Sequence, residues 1–234
     1  MPRIVARPAG QLHAAEKRAL MRVMSEAFTL SVPVEQVADS YCSRIAQVLL
    51  AYERDDLVGF QFFQECSVDG VHVSHFSLAG KSDAFRGKGL QRAFGGWLIR
   101  QAIGRMIHPF RPIAIAGVSN NPKSYRNMLL IGGSVFPDVT KPGQPCIHRE
   151  LYERVARRLD INGLNLTTGV VRDRCASLGL VIKASAFEQR ADALNQGFMK
   201  YIDGDPNHGV FALAVSTPFT AVASFAGRQL GLSR

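Results

Sequence analysis

The octet Phe85-Arg86-Gly87-Lys88-Gly89-Leu90-Gln91-Arg92 is where residue type and spacing point most directly to chemistry. Gly87 and Gly89 let the backbone turn tightly and approach a ligand closely. Arg86, Lys88 and Arg92 add positive charge, and the apolar periodicity that follows marks the start of a helix. A helix N-terminus presents N–H groups and a partial positive charge, so the octet has the makings of a phosphate or pyrophosphate cradle. It is not a Walker loop, because GxxxxGK[ST] is absent, nor a Rossmann fingerprint, because no GxGxxG follows the first strand. A plain glycine turn ahead of a helix is the competing reading.

The distribution of charge supports an anionic ligand or partner. Between Ala84 and Pro137 there are eight cations (Arg86, Lys88, Arg92, Arg100, Arg105, Arg111, Lys123 and Arg126) and no acidic residue. The rest of the chain carries 20 cations and 19 anions, so nearly all of the net charge of +9 sits in one segment. Such a field favours a phosphorylated cofactor, a nucleic acid, an acidic protein or an anionic surface, against the plainer alternative of a solvated basic face. Other site chemistries find no pattern: there is no Ser-His-Asp order, paired-carboxylate motif or HExxH, and the six histidines lack metal-ligand spacing, so no metal is expected. Cys42, Cys66, Cys146 and Cys175 form no CxxC pair, which argues against a zinc site or a disulfide framework.

The elements that must position the octet follow from periodicity. Residues 11–28 repeat apolar positions at helical spacing, and a second short helix is expected over 33–44. Residues 46–52 and 57–66 are apolar and aromatic runs joined by Glu53-Arg54-Asp55-Asp56, which reads as an antiparallel hairpin. Asp69-Gly70 is a second hairpin signal, leading into a strand over 71–78. The octet then opens a helix over about 88–107, followed by a buried strand at 113–118. Asn120-Asn121-Pro122 starts another helix, expected to stop at Gly132-Gly133. Beyond it are a loop at 138–145, a basic helix at 150–159, short strands and a helix within 171–203, and a last strand at 210–215. The uncharged stretch from Pro206 to Gly227 is interrupted by polar residues, so we expect a strand and a short terminal helix rather than a membrane span.

In that order the motifs resemble the GNAT superfamily of N-acetyltransferases. Its pyrophosphate loop is [Q/R]-x-x-G-x-[G/A], and residues 86–91 match except that Gln91 stands where Gly or Ala is usual. A helix opened by Asn, here Asn121, is the second shared feature. The resemblance covers about residues 12–136 and the last strand. It implies a mixed α/β fold with a mostly antiparallel sheet flanked by helices and split between two central parallel strands, 71–78 and 113–118. One acyltransferase domain would span 1–234, with 137–205 as an insertion or extension. The co-substrate would be acetyl-CoA or another acyl-CoA. The resemblance gives cofactor contacts to Leu78, Arg86, Gly87, Lys88, Gly89, Leu90, Gln91, Arg92, Asn121 and Ser124.

The same resemblance suggests a base on the strand before the loop and a tyrosine acid on the Asn-started helix. His75 is the first candidate base, since imidazole titrates near neutral pH, with His72 and Glu65 behind it and a structural histidine as the competing reading. Tyr125 is the nearest hydroxyl, although the family's spacing would put the acid a turn later, at Met128. The acceptor would be an amine on a small molecule, peptide or protein. An acidic acyl carrier protein could serve as donor and dock on the basic segment, with Phe60, Phe62, Phe63 and Phe94 as candidates to line an acyl tunnel. Two alternatives stay open: a nucleic-acid-binding module using Arg149, Arg154, Arg157 and Arg158, and an acyl-CoA sensor without turnover. The first twenty residues lack the apolar core of about 7–15 residues that marks a signal peptide, so a cytoplasmic location is expected.

Overall fold

Leu20, Val23 and Met24 recur at helical spacing, and they are the residues that helix α1 (Ala14–Ala27) buries completely. The computed structural model describes residues 2–107, 112–129, 133–141, 143–181 and 192–217, excluding the side chains at 91, 92, 98, 99, 102, 103, 105–107, 123 and 127. The further helices are α2 (Val34–Arg44), α3 (Leu90–Ile107), α4 (Pro122–Leu129), α5 (Arg149–Arg158) and α6 (Ala193–Tyr201). The strands are β1 (Arg3–Pro8), β2 (Thr29–Leu30), β3 (Gln47–Glu53), β4 (Asp56–Val68), β5 (Val71–Lys81), β6 (Ile113–Ser119), β7 (Ser134–Phe136), β8 (Val170–Val171), β9 (Leu180–Val181) and β10 (Gly209–Ser216). The fold is mixed α/β. Its main sheet has eight strands in the order β1-β3-β4-β5-β6-β10-β7 with β8 on β10, and all but one pair are antiparallel. Helix α3 joins β5 to β6, the long crossover that parallel neighbours require.

The chain divides into two units. The first contains Met1–Glu65, Phe76–Leu98 and Cys175–Ile182. Here β1 pairs antiparallel with β3, and β3 with β4. Strand β1 is an addition to the sequence expectation. One face of this part of the sheet presents Val48, Leu50, Phe60 and Phe62 to α1 and α2. Leu49, Ala51, Val58 and Phe63 pack with Leu90 and Phe94 of α3 in a separate cluster. The pairing passes from Ala51–Gly59 to Tyr52–Leu57, so Val58 is an extra, bulged residue. That bulge reverses the side-chain alternation, which is why Val58 and Phe60 join different clusters despite their even spacing. The four phenylalanines offered as a tunnel lining are each at most 2% exposed and divide between these two clusters. They are packing residues and do not line one channel.

The second unit contains Cys66–His75, Ile99–Arg174 and the described residues of Lys183–Arg234. Asp69 and Gly70 both adopt positive φ (52° and 76°), the two-residue turn that matches strand twist, and connect the end of β4 to β5. Strand β10 is buried along its whole length and pairs antiparallel with β6, β7 and β8. Helix α5 buries Tyr152, Val155 and Ala156 against Phe211, Leu213 and Val215 of β10. Residues 137–205, expected as an insertion, supply α5, α6 and β8 to this unit, whereas β9 pairs with β2 in the first. The expected terminal helix and the Gly132 end of α4 lie outside the described residues. Among the described residues, no helix is long and apolar enough to cross a membrane.

Candidate active site

In the first unit, β5 runs through Leu78 to Lys81 and into a short 3-10 turn, Asp83–Phe85, before the glycine-rich octet. Gly87 and Gly89 have φ of 81° and 74°, a region that favours glycine. A Cβ built on either would meet nothing within 4 Å. Among the described residues, the open side of the loop therefore meets no protein atom within that distance. Lys88 N–H donates to Phe85 O (3.3 Å), and its ammonium lies 4.6 Å from the centre of the Phe85 ring. Ala93 N–H donates to Gly89 O (3.1 Å) as the first turn of α3 closes. The N–H groups of residues 90–92 precede that bond and have no carbonyl within the helix, which is the arrangement that receives an anion. Gln91 and Arg92 lie in this turn, but their side chains are outside the described part.

The start of α3 is fixed by a close approach. Leu90 is 2% exposed, and a Cβ built on Gly59 of β4 would overlap its Cδ2 and come within 3.1 Å of the Gly80 carbonyl. Only glycine lets the first helical residue sit directly on the strand. Gly59→Val should lower stability by about 1–3 kcal/mol and raise amide exchange at residues 88–93, measured by urea unfolding and hydrogen exchange. Beside it, the buried Gln61 donates from Nε2 to Phe62 O (3.0 Å) and to Ser77 O on β5 (3.2 Å). This fixes the strand just ahead of Leu78. Sequence reasoning passed over Gln61; a lone amide inside the run Phe60–Phe63 was the available signal.

Arg86, expected among the phosphate ligands, has other partners. Its Nε donates to Asp83 Oδ1 (2.5 Å), and Nη2 donates to the carbonyl of Glu26 at the end of α1 (3.3 Å).

In the second unit, Asn121 Oδ1 accepts the Ser124 N–H (2.8 Å) and Asn121 Nδ2 donates to Asn120 Oδ1 (3.4 Å). Asn121 is thus the N-cap of α4, with Pro122 in the first helical position. Tyr125 is fully buried. Its hydroxyl donates to Pro137 O and accepts the Val139 N–H, and its ring leans on Phe198. Burial raises the phenol well above its ordinary value. The hydroxyl joins α4 to the chain beyond β7 and holds its proton in that bond, which does not suit an acid that protonates a departing thiolate. Tyr125→Phe should cost about 1–3 kcal/mol, because it strands a buried carbonyl, while leaving the turnover of the folded fraction within about twofold; unfolding and rate measurements on one preparation check this. Met128 is buried as well.

His75 is 3% exposed. Burial, reinforced by the charge of Arg174, lowers its pKa from 6.5 to about 3. The imidazole is neutral at physiological pH, but it binds a proton too weakly and lies too deep to serve readily as a general base. Alternation places Val73 and His75 on one face of β5 and Ser74 on the other, and all three are buried.

The basic helix α5 carries four arginines and two glutamates and is laced with ion pairs. Arg149 and Arg157 pair with Glu153, and Arg154 pairs with Glu150 and with Asp69. Three of the four arginines offered for nucleic acid therefore already have carboxylate partners. Of the central cations, Arg126 is paired with Asp192 and Arg100 is exposed, while Arg111 and the Arg105 side chain lie outside the described part. A group distant in sequence also gathers: ligand atoms of Asp173, Asp205 and His208 lie within 4.8 Å of one another. Asp205 Oδ1 already accepts the Asn207 N–H (2.8 Å) in its own turn.

No family model matches the chain, and no curated protein matches it. Solved structures do. A ribosomal-protein-alanine N-acetyltransferase from Brucella melitensis biovar Abortus 2308 is 21% identical over 44% of this chain and 73% of its own, with a TM-score of 0.36. The ribosomal-protein-S18-alanine N-acetyltransferase from Escherichia coli is 13% identical over 58% of this chain and 81% of its own, with a TM-score of 0.41. A GNAT family N-acetyltransferase from Escherichia coli, solved in complex with CoA, is 15% identical over 54% of this chain and 67% of its own, with a TM-score of 0.37.

Proposed function

We propose that the chain is a GNAT-type N-acyltransferase that moves an acyl group from a coenzyme A thioester to an amine. One observation carries this reading: two glycines at positive φ, with open space where their side chains would be, lead directly into the N-terminus of an 18-residue helix. That geometry suits a diphosphate, which needs close backbone approach and several N–H donors. In this reading the loop 86–92 holds the pyrophosphate through its backbone, with Lys88 nearby as a point charge, and Leu78 of β5 offers its backbone to the thioester arm. Asn121 and Ser124 serve chiefly to start α4.

The chemistry asks little of titrating side chains. The neutral amine attacks the thioester carbonyl carbon, a C–N bond forms, the C–S bond breaks, and coenzyme A leaves as the thiolate. The amine's proton passes to solvent. Neither His75 nor Tyr125 is required in that sequence, and the contribution of the protein is to hold donor and acceptor together.

The test is thiol release from acetyl-CoA, a long-chain acyl-CoA and an acyl carrier protein thioester, each with polyamines, amino acids and peptide N-termini as acceptors. Amine-dependent thiol release with any donor supports the reading, and the preferred donor sets the chain length. Binding of acyl-CoA without release would instead indicate a sensor. The ion pairing along α5 disfavours the nucleic-acid reading.

A further inference from the structure

Arg86 opens the loop, and its charge suggests a phosphate ligand, but its contacts lead elsewhere. The last four carbonyls of a helix have no partner within it, and a cation is favoured at that end. Arg86 Nη2 donates to one of these carbonyls, that of Glu26 in α1, at 3.3 Å, although the two residues are 60 positions apart. Arg86 Nε is held by Asp83 Oδ1 at 2.5 Å. The Glu26 side chain completes the arrangement: Oε2 accepts the Asp83 N–H (3.3 Å) and Oε1 accepts Arg22 Nη1 (3.4 Å). Arg22 in turn donates from Nη2 to Leu57 O at the start of β4 (2.9 Å). Arg86 N–H also donates to Asp83 O (3.1 Å), so the turn ahead of the glycines is closed by backbone and side chain together.

We propose that Arg86 is a positioning residue: with Asp83 and Glu26 it clamps the root of the glycine loop to the C-terminal end of α1, and it does not itself ligate phosphate. The proposal rests on the coenzyme A reading given above. The clamp fixes the segment from which Gly87 and Gly89 depart, so that the backbone N–H groups meet the diphosphate without first being ordered. All three residues belong to the first unit. Each surface ion pair taken singly contributes little. Here the charge pair is joined to a helix carbonyl and a backbone N–H, and the sum sets a geometry rather than a large stability.

The experiment combines coenzyme A titration with amide exchange at residues 83–90 in the full chain. Arg86→Asp places like charges at 83 and 86 and should weaken coenzyme A at least tenfold and speed exchange in the loop. The double variant Asp83→Arg with Arg86→Asp restores the pair. It also sets the guanidinium beside the Glu26 carboxylate, which already reaches the N–H of that residue. Position 86 then offers no donor to the Glu26 carbonyl, so affinity should recover in part, by at least about threefold over Arg86→Asp, and exchange should slow again. A direct phosphate ligand would not be rescued, because position 86 would still be acidic. Unrescued affinity, or exchange indifferent to Arg86→Asp, overturns the clamp. If the unaltered chain fails to bind coenzyme A while exchange still responds as described, the functional reading fails and the clamp's role in cofactor binding fails with it.

Discussion

Gly89→Val is expected to reduce coenzyme A affinity at least a hundredfold while the protein remains folded. The effect on the fold is bounded. Gly89 has φ of 74°, and a Cβ there would meet nothing within 4 Å, so the cost is conformational and not one of overlap. A left-handed conformation costs an ordinary residue about 1–2 kcal/mol, and a β-branched one more. Binding suffers twice. The valine either keeps the loop conformation and projects its side chain into the space a diphosphate must enter, or relaxes and turns the N–H groups of residues 90–92 away. A hundredfold loss corresponds to about 2.7 kcal/mol, within the range of one or two charge-assisted hydrogen bonds. Isothermal titration of coenzyme A, with far-UV circular dichroism to confirm folding, checks it. Gly87, at φ 81° with equally open surroundings, should behave alike.

Acid should destabilise the protein through His75. Its pKa is about 3 in the folded chain against an ordinary 6.5. Below pH 6.5 the unfolded chain takes up a proton at this site and the folded chain does not, so stability falls as pH drops and continues to fall until pH about 3. Above pH 6.5 both states are neutral and the site adds no pH dependence. The window carries roughly 4–5 kcal/mol in total, and about 2–3 kcal/mol of it lies between pH 6.5 and 4.5. His75→Gln removes the titration and keeps an amide of similar size. Urea unfolding at pH 7.5 and pH 4.5 should therefore show a smaller loss for the variant, by about 2–3 kcal/mol. Equal losses would mean that His75 is solvated in the folded chain, and its candidacy as a base would then return.

Much of the site is local and could be read directly. Gly87 and Gly89, the helix after them, the Asp69-Gly70 turn and the Asn121-Pro122 helix start are all written in neighbouring residues, because positive φ and capping are demands on single positions. Features that depend on distant partners were not legible. Glu26 lies 60 positions from Arg86, and nothing in either neighbourhood announces the contact. Val73, Ser74 and His75 are all buried although alternation puts Ser74 on the opposite face from the other two, and nothing in the neighbouring residues announces it. The bulge at Val58 shifted the phenylalanines relative to a simple period of two. Strand β1 has no local signature, because Arg3-Ile4-Val5-Ala6-Arg7 is short, partly polar and followed by Pro8, and it becomes a strand through its pairing with β3.

The most direct measurement compares coenzyme A with pantetheine, which has the same thiol arm but no pyrophosphate, by titration into the unaltered chain. A diphosphate held by the loop predicts that coenzyme A binds at least a hundredfold more tightly than pantetheine and that Gly89→Val reduces the difference to less than tenfold. Equal affinities, or a preference for coenzyme A that survives Gly89→Val intact, would contradict the account.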